Sequence, residues 1–140
     1  MAYTVQIKTL LSVAGADLAS IADRTYTNLT ESWKRKEVLN NEAAILWDTS
    51  ASANLADFDV LILYTNQPVE IEMTIKEGDA NEELCSFRLA KETVFVLGAD
   101  DAYYNHSASD AFAGTLDVID KIRAKEINSV AATVVLELHT

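Results

Sequence analysis

The chain has little of what usually braces or breaks a small fold: one cysteine, one proline and four glycines in 140 residues. Cys85 has no second thiol to pair with, so stability does not depend on an oxidising compartment. The glycines stand alone at positions 15, 78, 98 and 114, which excludes a glycine-rich phosphate loop. Positive charge is also scarce, with 11 basic against 22 acidic residues and a net charge of −11. Phosphate backbones and anionic lipid repel such a chain on average, so neither nucleic acid nor membrane is an expected partner. The one compact basic run, Lys34-Arg35-Lys36, alternates faces if it lies in a strand, leaving at most a pair on one surface. No apolar run is long enough to span a bilayer. The opening MAYTVQIKTLL lacks the basic start and unbroken apolar stretch of a signal peptide, so secretion by that route is not expected.

What remains is strand pattern. At 140 residues the chain has single-domain size, and folding at that length removes roughly two-thirds of the extended chain's surface from water. The clearest signal is Val69, Ile71, Met73 and Ile75 alternating with Glu70, Glu72, Thr74 and Lys76, a strand with one buried and one wet face. Phe58 to Tyr64 is apolar at nearly every position, as in a strand covered on both faces. Thr65-Asn66-Gln67-Pro68 joins the two, and a hairpin is the simplest reading. Alternation also marks Tyr3 to Val13, Ser32 to Leu39 (Trp33, Arg35, Glu37 and Leu39 on one parity) and Ala132 to His139. Ala43 to Trp47 reads as a buried strand paired with its predecessor across the Asn40-Asn41 turn. Leu84 to Leu89 resumes after a turn at Glu77 to Asn81, with Leu84, Phe87 and Leu89 near the core, and Thr93 to Leu97 follows the Ala90-Lys91-Glu92 turn.

Two segments stay open between alternatives. Leu10 to Ala22 suits a strand, a short helix or a loop, with Gly15 arguing for a break. Leu116 to Ile127 has some helical spacing, but strand is preferred because Ile119 to Ile127 is the simplest hairpin partner for Ala132 to His139. The expected fold is therefore all-β, a β-sandwich or jelly-roll-like domain of about eight to ten antiparallel strands, with room for one short helix. It fills residues 1–140 as a single domain, and residues 1–20 form an arm or edge strand.

Candidate chemistry is sparse. Glu70 and Glu72 share a strand face roughly 6.5 to 7 Å apart, a separation used by inverting glycosidases, but nothing in the pattern buries either carboxylate, and the solvated face of an amphipathic strand is the reading adopted. Cys85 with His106 or His139 would compose a thiol and base, although a cysteine in an apolar strand ordinarily packs as a small hydrophobe. Asp100, Asp101, Asn105 and Asp110 offer oxygens to a hard cation without an EF-hand spacing. Asn28-Leu29-Thr30 and Asn105-His106-Ser107 fit the glycosylation triplet, read as chance without a signal peptide. No catalytic residue, metal or cofactor is assigned. Asp48 to Asp57 reads as a surface loop. From Gly98 to Gly114 the periodicity disappears in a loop too long to be a mere connection. Its aromatic and imidazole side chains, Tyr103, Tyr104, His106 and Phe112, are the candidate partner-binding residues, because a polar loop gives them little core to fill. Trp33 and Trp47, on strands, are better read as core.

The order of elements resembles small β-sandwich virion proteins of tailed bacteriophages. Those chains carry a segment F-x-L-x-x-G-E-x-x-x-L, to which Phe87, Leu89, Glu92 and Leu97 correspond here with Lys91 in place of the glycine, one residue fewer before Lys91 and one more after Glu92. They close on I-x-A-K-x-x-S-x-x-A-x-V-x-L, to which Ile122, Ala124, Lys125, Ser129, Ala132, Val134 and Leu136 correspond with three residues instead of two between Lys125 and Ser129. The likeness spans residues 31–140. It implies a non-enzymatic capsid cement or decoration subunit in the virion, assembled in the host cytoplasm, that binds capsid or other virion proteins and forms a homo-oligomer. A head-tail or tail component and a carbohydrate-binding β-sandwich module are the alternatives.

Overall fold

The computed structural model describes residues 1–13, 16–51, 55–75, 82–98, 103–104 and 116–140, with the backbone alone described for 8–13, 16–24, 103–104 and 116–117. The chain divides into two compact units, Met1–Glu31 and Ser32–Thr140. In the first, β1 (Tyr3–Val13) and β2 (Ala16–Leu29) form an antiparallel pair whose register shifts three times. Leu10 to Ala22 is thus strand wherever it is described, and neither helix nor loop. Asn28, within β2, takes positive φ at the first of these shifts, and the Tyr3 hydroxyl donates to the Glu31 carbonyl at 2.5 Å.

The second unit is a β-sandwich. One sheet has the order β3 (Ser32–Leu39), β12 (Ala132–His139), β5 (Val60–Thr65), β8 (Thr93–Gly98). The other has β4 (Ala44–Asp48), β11 (Ile119–Glu126), β6 (Val69–Ile75), β7 (Glu83–Leu89). A two-residue pair, β9 (Tyr103–Tyr104) with β10 (Leu116–Asp117), interrupts the connection from β8 to β11. Every pairing is antiparallel and the long-range ones nest: β3 with β12, β4 with β11, β5 with β8, β6 with β7. The half from β3 to β6 lies against the half from β7 to β12 like one long hairpin. Contacts of β12 with β5 and of β11 with β6 then complete each sheet. This is the winding of a jelly roll. No helix occurs among the described residues.

This winding corrects three local expectations. β5 and β6 do not form a hairpin, β4 pairs with β11 rather than β3, and β11 and β12 lie in different sheets. Each short connection crosses from one sheet to the other. The three residues between β5 and β6 reach roughly 13 Å when extended, enough to bridge sheets packed about 10 Å apart. The crossing is pinned by hydrogen bonds to the opposite half. Thr133 N donates to Asn66 Oδ1 at 2.7 Å, Asn66 N to the Thr133 carbonyl at 3.2 Å, and Ile127 N to the Pro68 carbonyl at 3.3 Å. Positive φ at Asn41, Glu92, Asn128 and Ser129 tightens the turns at this same end.

The core is the inner row of each strand: Leu61 and Leu63 of β5, Ile71 and Met73 of β6, Ile122 and Ala124 of β11, Val134, Leu136 and Leu138 of β12, all buried. Trp47 is fully buried, edge-on to Phe58 with ring centroids 5.4 Å apart, and Trp33 is half-buried against the same core. Two details differ from the sequence reading. Leu84 points outward and is 59% exposed, because period two places Cys85, Phe87 and Leu89 on the inner face of β7. β5 is covered on its outer face only at Val60, while Tyr64 is exposed.

Candidate functional site

Strand directions divide the sandwich into two unlike ends. At one, the connections β3–β4, β5–β6, β7–β8 and β11–β12 are tight turns. At the other, the chain leaves and re-enters through three long connections, residues 49–59, 76–82 and 99–118, of which β9 and β10 are part. The sequence singled out the last of these, and the topology brings the other two to the same end. All three are acidic: Asp57 and Asp59 in the first, Glu77, Asp79 and Glu82 in the second, Asp100, Asp101, Asp110 and Asp117 in the third, against Lys76 alone. Most of the chain's net negative charge therefore belongs to segments anchored at one end.

Of the candidate partner-binding residues, Tyr103 and Tyr104 form β9, opposite Asp117 and Leu116 of β10. His106 and Phe112 lie outside the described residues, as do Asp100, Asp101, Asn105 and Asp110 of the cation reading.

The described base of this end is firmly tied. Trp47 Nε1 donates to the Leu55 carbonyl at 3.0 Å, and Leu55 packs against the core. Asp48 accepts from the Ser50 hydroxyl at 2.6 Å and the Ser50 amide at 2.8 Å, and Lys121 Nζ lies 3.8 Å away. The Ser50 hydroxyl bond is the chief reason the Asp48 carboxyl is held below its ordinary value, desolvation opposing and the Ser50 amide and Lys121 assisting. Thr49 N donates to the Asp120 carbonyl at 2.9 Å and Asp59 N to the His139 carbonyl at 2.8 Å. Loops on a rigid scaffold are where binding residues concentrate.

Glu72 is half-buried and accepts from Arg123 Nε at 2.8 Å, with Arg123 Nη2 on the same oxygen. Glu70 is exposed and stands in register with Lys125 on one side and Arg88 on the other. Two shallow cavities of about 210 and 340 Å³ flank it, the first lined by Ala43, Glu72, Arg123 and Lys125, the second by Ser86, Phe87, Arg88 and Ile127. Cys85 sits on the inner face of β7 opposite Met73. His139 is buried at the end of β12, in the other sheet, with Nε2 3.1 Å from Glu137 Oε1. Among the described residues no group of three or more His, Cys, Asp or Glu is placed to hold a metal ion. No helix in the described residues is long and apolar enough to cross a membrane.

Compared with known proteins, the chain matches no family model, no curated protein and no solved structure.

Two features escaped sequence reasoning. The gathering of residues 49–59 and 76–82 beside 99–118 depends on strand direction, which local pattern does not reveal. The status of β8 as an edge strand depends on the non-local order of the sheet.

Proposed function

We propose that this protein is a non-enzymatic virion structural subunit, a capsid cement or decoration protein that oligomerises and binds neighbouring capsid proteins through the acidic loop end of its sandwich. The observation that carries the reading is the polarity of the domain: four tight turns at one end, three long acidic connections with Tyr103 and Tyr104 at the other. Jelly rolls recur in viral capsid and lectin domains. The reading draws support from the residues that carry the resemblance. Phe87, Leu89, Ile122, Ala124, Ala132, Val134 and Leu136 all take inward positions on β7, β11 and β12. Lys91, in place of the family's glycine, is accommodated because the positive φ of this turn falls on Glu92. The ion pairing of Glu72 by Arg123 favours a structural role for the β6 carboxylates over a hydrolytic one.

Charge argues for the outer surface of a particle, since packaged nucleic acid repels a subunit of net charge −11. Antibody labelling of intact particles tests this: labelling of the shell is expected, and labelling confined to the tail favours the head-tail or tail reading. A carbohydrate-binding module is the second reading, favoured by two tyrosines in the polar Gly98 to Gly114 stretch. It requires that the double variant Tyr103→Ala/Tyr104→Ala lose glycan retention, and an array showing no retention by the unaltered protein removes it.

A further inference from the structure

The two sheets end in four edge strands, β3, β8, β4 and β7. Exposed edges invite pairing with another chain unless charge, shortness or a bulge blocks them. β3 carries Lys34, Arg35, Lys36 and Glu37; β7 carries Glu83 and Arg88; β4 is short, ends at Asp48 and meets β11 across a register shift. β8, Thr-Val-Phe-Val-Leu-Gly, has no ionisable side chain. Among the described residues no strand pairs with it on the side away from β5.

The surface around this edge is apolar. Val94 is 57% exposed and stands in register with Tyr64, 38% exposed, which in turn faces Val135 of β12. Phe95 and Leu97, on the inner face, are only half-buried, and Phe95 lies against Phe87 with centroids 4.8 Å apart at the open side of the sandwich.

We propose that β8 is a homodimerisation edge: a second copy of this chain pairs its own β8 antiparallel across a two-fold axis, joining two four-stranded sheets into one of eight. The occupant is a second copy because the edge complements itself. With the axis at Phe95, Val94 faces the second copy's Val96 and Thr93 its Leu97. With the axis at Val96, Phe95 faces Leu97 and Val94 faces Gly98. Both registers keep inner and outer faces matched, and neither opposes charges, whereas most of the surface of a chain of net charge −11 repels its own copy. Pairing β8 with the basic β3 edge of another copy offers no such complement and does not close. A strand of this length spans roughly 20 Å against a sandwich about 10 Å thick. That contact falls below the roughly 1,200 Å² of a stable complex, so a reversible dimer with a dissociation constant on the order of micromolar is expected. This dimer gives the oligomerisation proposed above a specific surface, yet its test needs no capsid, so its failure and the failure of capsid binding are told apart.

Sedimentation equilibrium of the full chain over a concentration series should show a monomer–dimer equilibrium that tightens with added salt, as screening relieves the repulsion between acidic copies. Val94→Lys, at an exposed outward position, should weaken it at least tenfold with an unchanged circular dichroism spectrum. Val38→Lys, equally exposed on the opposite edge, should leave it unaltered. Hydrogen exchange of the unaltered protein, needing no variant, should show amides of residues 93–98 gaining protection as concentration rises. A monomer at every concentration, assembly beyond the dimer, a dimer indifferent to Val94→Lys, or protection confined to other strands would overturn the proposal.

Discussion

Arg123 and Glu72 face each other across the β11–β6 register, and the guanidinium closes on a single carboxylate oxygen through both Nε and Nη2. The pair turns the outer face of that sheet into a cross-strand charge ladder, with Lys125 and Arg88 flanking Glu70 one row away. Because the Arg123 side chain is 43% exposed, solvent screens the attraction. A double-mutant cycle of Arg123→Ala and Glu72→Ala in urea should give a coupling of about 1 kcal/mol or less. Doubling the salt should reduce it further.

Trp47 combines full burial, an edge contact with Phe58 and a hydrogen bond to the Leu55 carbonyl. Trp47→Ala should cost about 3–5 kcal/mol, a large share of the stability of a domain this size. Trp47→Phe keeps most of the packing but strands the carbonyl, and should cost about 1–3 kcal/mol. Urea midpoints check both, and the fluorescence of the unaltered protein should include a blue-shifted, quencher-resistant component from Trp47.

Asp48 has its carboxyl held below the ordinary value of 3.8, first by the Ser50 hydroxyl. A group depressed on folding contributes stability that is present above its unfolded value and lost as pH falls through the folded one. Ser50→Ala should therefore be less stable than the unaltered protein above about pH 4, and the gap should close as pH falls below that range. Urea titrations at a series of pH values read this directly; a gap that widens in acid contradicts it.

Glu126 is buried on the inner face of β11 opposite Val69, and its Oε2 has no hydrogen-bond partner among the described residues. A buried polar atom without a partner costs about 1–3 kcal/mol. Glu126→Met, which keeps the side-chain length without the orphan oxygen, should raise the thermal midpoint by several degrees. Calorimetry showing a lower midpoint would indicate that the carboxylate supports the Pro68–Ile127 corner beside it.

Strand character was legible wherever one face is wet. Val69 to Ile75 alternates because Glu70 and Glu72 stand outside and Ile71 and Met73 inside. Pairing was not legible, because a sheet-crossing turn is as short as a hairpin turn: residues 127–131 connect β11 and β12 as briefly as any hairpin, yet Leu138 of β12 faces Trp33 near the start of the sandwich. Leu84 misled because a large apolar side chain on an edge strand looks like core when its parity with Cys85 is ignored. The loop bearing Tyr103 and Tyr104 was visible from its lost periodicity. Its acidic neighbours in 49–59 and 76–82 became visible only once β4, β6 and β8 were known to run toward the same end.

Co-sedimentation measures the proposed attachment to a capsid most directly. Under the proposed role, purified protein mixed with expanded phage shells that lack it should pellet with them, saturate at a fixed number of copies per shell and be released as salt screens the acidic loop end. Protein that stays in the supernatant at every concentration, with shells shown to be intact, would contradict the account.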